Sequence, residues 1–166
     1  MGEIGRIVDL LDRAFQGDAW HGPAVREILV GLNASQAAAR PLEGGHTIWE
    51  LVLHMTVWKD EVRRRIEGET PRSLPPAEDW PTVGRTDEPS WRAALDDLAS
   101  SHARLRAVMA QVLDRQLDGP LGGDGGTVWT VYTTVHGVIQ HDLYHAGQIA
   151  ILRKSAVAST PVDRNP

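Results

Sequence analysis

The chain has 166 residues, the size of a single domain, with 42% hydrophobic and 23% charged positions, ordinary values for a globular protein. Seventeen basic residues against 22 acidic ones, with no Lys/Arg-rich run, argue against a nucleic-acid partner, and the absence of cysteine excludes disulfides, thiolate metal sites and a cysteine nucleophile. The start, MGEIGRIVDLLDRAF, lacks a signal-peptide pattern and no apolar run is long enough to cross a bilayer, so a cytoplasmic protein with no membrane partner is expected.

Ile4, Ile7, Val8, Leu11 and Phe15 share one helical face and predict a first helix ending near Gly17. Pro23, at an early helical position, opens a shorter piece carrying Val25, Ile28, Leu29 and Leu32. Thr47 with Glu50 three residues on has the form of a capping box. The second long helix follows, its apolar face running Leu51, Val52, Met55, Trp58, Val62 and Ile66 before Gly68 stops it. Residues 68–89 hold five of the ten prolines and predict a long irregular connection, of the kind that forms lids and binding loops.

A third helix is predicted from about Pro89–Ser90, with Trp91, Leu95, Leu98, His102, Leu105, Met109 and Val112 forming a bundle seam. Residues 118–127, DGPLGGDGGT, read as a glycine-rich turn and not a phosphate loop, because no strand precedes them and no Gly-Lys-Ser/Thr follows. The β-branched TVWTVYTTV could pass for a strand. Beyond it Val135, Val138, Ile139, Leu143, Ala146, Ile149 and Leu152 keep helical spacing, so the last helix is predicted from about Thr130 to Lys154. The fold expected is all-α: a four-helix bundle over residues 1–155, with a short extra helical segment after the first helix, and a flexible tail over 156–166.

The chemistry concentrates in histidine. HDLYH places His141 and His145 one turn apart and about 40° around a helix, so both rings can reach one ion. His54, three after Leu51 and four before Trp58, lies in the buried stripe of a different helix. A pair on one helix and a third ring on a facing helix make a three-nitrogen site with positions left for water or substrate, the geometry of a working metal. The alternative for each ring taken alone is a hydrogen-bonded core histidine. Three of them aimed into one core are costly unless something binds them.

HDLYH also stands one methylene from the HExxH of zinc proteases. That reading lacks its third ligand, because Gln148 occupies the place of the next metzincin histidine and Asp163 is the sole carboxylate downstream. His136 should face elsewhere, His102 is a core histidine or an orienting partner, and His46 belongs to the capping region. His21, on a loop beside Trp20, is either a candidate acid/base at a pocket mouth or part of a structural turn.

HTIWELVLHMTVWKDEVRRRIEGE and HGVIQHDLYHAGQIAILRK resemble the DinB-like superfamily of metal-binding four-helix bundles, whose members include bacillithiol and mycothiol S-transferases and mycothiol-dependent maleylpyruvate isomerases. The resemblance implies that His54, His141 and His145 bind a divalent metal, zinc or nickel, and that the protein is a homodimer acting on a small molecule. The first functional reading is therefore an S-transferase activating a low-molecular-weight thiol cosubstrate; in it Asp142 or His21 handles protons and Gln148, one turn beyond His145, orients a ligand. Two other readings keep the metal: a hydrolase of small esters or amides, and a non-catalytic metal-stabilised bundle serving as a binding or stress-response module.

Overall fold

Each long helix of the computed structural model, which describes residues 2–122 and 128–158, begins where a side chain can satisfy its free amides. α1 (Glu3–Gln16) has the amides of Glu3 and Ile4 donating to the Asp114 carboxylate, both at 2.9 Å, and ends at Gly17 with φ 145°. α4 (Ile48–Ile66) carries the expected capping box: the Glu50 amide donates to Thr47 Oγ1 at 3.1 Å and the Thr47 amide to Glu50 Oε2 at 2.7 Å. α6 (Glu88–Met109) starts with the Ser90 amide donating to Asp87 Oδ1 at 2.9 Å. α7 (Val131–Ala158) follows a pair of threonines, with the Thr133 amide donating to Thr130 Oγ1 at 3.1 Å.

Shorter elements fill the connections. α2 (Val25–Leu29) is the expected extra segment, although Leu32 falls beyond its end, and α3 (Ala34–Ala38) and α5 (Pro76–Asp79) are two further turns that periodicity did not mark. A minimal hairpin also departs from the purely helical expectation: β1 (Pro120–Gly122) pairs antiparallel with β2 (Trp129–Thr130), so Trp129 and Thr130 of the β-branched run are extended. Half of the glycine-rich turn, 123–127, lies outside the described residues, as do 159–166 of the expected tail. α7 itself runs on to Ala158, past the expected end of the bundle at 155. Among the described residues no helix is long and apolar enough to cross a membrane.

α6 and α7 each pack against both α1 and α4, which sets α1 and α4 diagonally in the bundle. The core has two apolar halves. One gathers Phe15, Leu51, Met55, Leu98 and Ile149, and the other Leu11, Val62, Leu105, Val135 and Ile139. Between them, on α4, α6 and α7 in turn, sit the buried polar side chains of Lys59, Ser101, His102 and Asp142. A polar layer therefore crosses the middle of the bundle, and the histidines of interest lie beside it.

Candidate metal centre

The buried stripe of α4 brings His54 into the core at 4% exposure, and α7, running against it, presents half-buried His141 and buried His145 one turn apart. The three Nε2 atoms meet. His141 Nε2 lies 3.0 Å from His54 Nε2 and 3.1 Å from His145 Nε2, and one ligand atom from each ring falls within 4.8 Å of the others. Nitrogens that share an ion at about 2.0–2.1 Å lie roughly 2.9–3.4 Å apart for angles between a right angle and the tetrahedral one. The observed separations fall in that interval.

The outer ring nitrogens decide what faces the centre. His54 Nδ1 donates to the carbonyl of Asp79 at 2.7 Å, and His145 Nδ1 donates to Gln148 Oε1 at 2.7 Å. Each proton fixed outside leaves an Nε2 lone pair pointing inward. His141 Nε2 can donate to one of them at most, and doing so leaves its buried Nδ1 bare, since that atom has no hydrogen-bond partner. Either tautomer strands at least one lone pair at the meeting point, a conflict that a cation there removes. Burial holds all three imidazoles below their ordinary pKa, His141 furthest, at about 3, where the neighbouring His145 and His54 rings and the Lys59 ammonium add to the effect. They are neutral at pH 7, the form that ligates. The donor set fits a divalent ion.

Residues of the expected irregular connection complete the centre. α5 ends at Asp79, whose carboxylate Oδ1 accepts from Trp58 Nε1 at 2.7 Å and lies 3.2 Å from His54 Nδ1. Trp80, the next residue, stacks on the His54 ring at 3.8 Å and 4°, and its other face carries His46 at 3.5 Å and 5°. His46 is thus part of a three-ring stack, not only a neighbour of the α4 cap. The cluster of prolines in 68–89 marked the connection, but no local spacing says which of its residues meets a helix 25 positions earlier.

Asp142 and His21, the expected proton handlers, are not brought to the three rings. Asp142 is fully buried and forms an ion pair with Lys59, itself fully buried, within the polar layer. His21 is exposed and borders a hollow with Ile139 and Leu143, some 160–200° around α7 from His141. His102 takes the core role: it stacks on Phe15 at 4.0 Å and lies 3.3 Å from Asp12 Oδ1. His136 lies against Tyr132, with ring centroids 4.4 Å apart and planes tilted by 50°. On the side of the bundle away from His21, a cavity of about 440 Å³ between α4 and α7 reaches His141.

A model of the DinB superfamily matches residues 19–149. No curated protein matches the chain. A crystal structure of a conserved protein from Enterococcus faecalis is similar in fold, with a TM-score of 0.70 over 96% of this chain and 99% of that one, at 17% identity. Likeness at that identity speaks for the architecture alone.

Proposed function

This chain belongs to the DinB superfamily, and from that premise we propose that it is a divalent-metal-dependent S-transferase, in which His54, His141 and His145 hold zinc or nickel and a low-molecular-weight thiol attacks a small electrophile. The observation that carries the reading is the convergence of the three Nε2 atoms at 3.0 and 3.1 Å with their outer protons already committed to Asp79 and Gln148. When bound, the ion supplies Lewis acidity that lowers the pKa of a thiol sulfur and so raises the supply of nucleophile at neutral pH.

The chain's own residues do the rest. Asp79 and Gln148 hold two rings in the ligating tautomer, as outer partners of metal-bound histidines commonly do. Trp80 and Trp58 flank His54 and shield it from water. Asp142 acts in this reading as a positioning residue, since its pair with Lys59 joins α7 to α4 beside the three rings. Homodimer formation, implied by the family likeness, belongs to the same proposal and is measured by sedimentation.

Elemental analysis of the protein as isolated, beside His54→Ala and His141→Ala, is the first test, and about one ion per chain that disappears in both variants is expected. Turnover of 1-chloro-2,4-dinitrobenzene with and without added thiol is the second. Turnover that needs no thiol would move the reading to hydrolysis. Bound metal without turnover under any condition would leave a metal-stapled binding module.

A further inference from the structure

Gly137 stands inside α7, 28 residues long, where a glycine weakens the helix relative to alanine. Its φ is negative, so its conformation does not ask for glycine. Packing does not ask for it either, because a Cβ at this position would meet nothing within 4 Å. What it borders is the cavity of about 440 Å³ between α4 and α7, a size that suits a small ligand. The missing side chain keeps that space open beside His141.

The walls state what the space would take. Trp58, Trp129, Val62 and Val138 make them mostly apolar. Thr133 and Thr134 also line the cavity, but their hydroxyls are already given to the carbonyl of Thr130 at 3.1 and 2.9 Å. Among the described lining residues there is no carboxylate, and the one fixed charge is Arg65. Arg65 is held in place: its guanidinium lies 5.7 Å over the Trp58 ring, and its Nε donates to buried Glu61 at 2.9 Å. Glu61 also accepts from Arg64 at 2.6 Å, so one carboxylate serves two guanidiniums and a positive charge remains uncompensated. The Trp58 ring centroid in turn lies 5.9 Å from that of His141, so the Arg65 charge and the His141 imidazole both border the same indole.

Resting on the S-transferase reading, we propose that this cavity is the electrophile's subsite and selects a flat, apolar, ring-bearing molecule that carries a carboxylate. The ring lies between the two tryptophans over Gly137, the carboxylate faces Arg65, and the reactive end faces His141. A sugar- or peptide-like thiol finds few free polar partners on these walls, so the cavity serves the acceptor and not the thiol.

Trans-cinnamate, cinnamamide and cinnamylamine share one shape and differ in charge. Calorimetric titration of the wild-type chain, without thiol, is expected to rank them in that order, with cinnamate roughly tenfold tighter than the amide. Gly137→Leu should weaken cinnamate at least tenfold, and Arg65→Gln should erase the preference for the anion, with metal content unchanged in both. Thr134→Trp narrows the same space from a neighbouring position and replaces the leucine variant if that one loses helical content. Equal affinity for the three probes, or cinnamate binding untouched by filling the cavity, overturns the proposal. A chain that bound no metal yet kept this ranking would sink the S-transferase reading and leave the subsite standing.

Discussion

Lys59 and Asp142 are both 0% exposed, and each is the other's ion-pair partner inside the bundle. Burial raises the Asp142 carboxyl above the ordinary carboxylate range although the Lys59 ammonium opposes the rise, and its Oδ1 has no hydrogen-bond partner. Removing one member strands the other. Asp142→Leu alone should cost about 3–5 kcal/mol in denaturant unfolding, and Lys59→Met with Asp142→Leu should recover most of that loss. His102, in the same layer, is held well below its ordinary value, at about 4, first by burial and then by the Lys59 charge. The folded pKa is the lower one, so the unfolded chain binds the proton more readily. Stability is full above about pH 6.5 and declines as pH falls toward 4, by on the order of 3 kcal/mol from this group. Urea melts of the metal-free protein between pH 7 and 4 should show that decline, reduced in His102→Gln.

At the scale of elements, the connection between α4 and α6 matters most, because α5 hands Asp79 and Trp80 to His54. Asp79→Ala keeps the main-chain acceptor for His54 Nδ1 but releases the clamp on Trp58, and should weaken metal binding about 10–100-fold in a chelator competition while leaving the helical content intact. How much of this was legible follows the range of the interactions. Thr47 and Glu50 are three residues apart, and the start of α4 could be read outright. α1 is capped by Asp114, more than a hundred positions away, which no local pattern reveals. Asp114→Ala should lower the urea midpoint without changing metal content. α3 and α5 are each about one turn, too short to display a period, and the two-residue strand β2 is shorter than any alternation.

For the whole molecule, the periodicity of the four long helices was enough to state the bundle, and a relative fold at 17% identity shows how little particular side chains are needed for it. The three histidines were legible because they repeat on those same apolar faces. Lys59 was not, because a single lysine on a helix face normally marks solvent, and here it marks a polar layer. Since the three rings join α4 to α7, metal and stability should be linked: at a free ion concentration 100 times its Kd the folded state gains about 2.7 kcal/mol. Chelation should therefore lower the wild-type melting temperature and leave that of His54→Ala unchanged, as differential scanning calorimetry would record.

The sandwich of Trp80 between His46 and His54 has one more consequence. An indole pressed flat against an imidazole on either face is a built-in optical gauge, its emission dimmed or restored as either partner gains a proton or turns away. Stripped of the other five tryptophans, the chain would report by light alone whether its loop is seated on the histidine beneath.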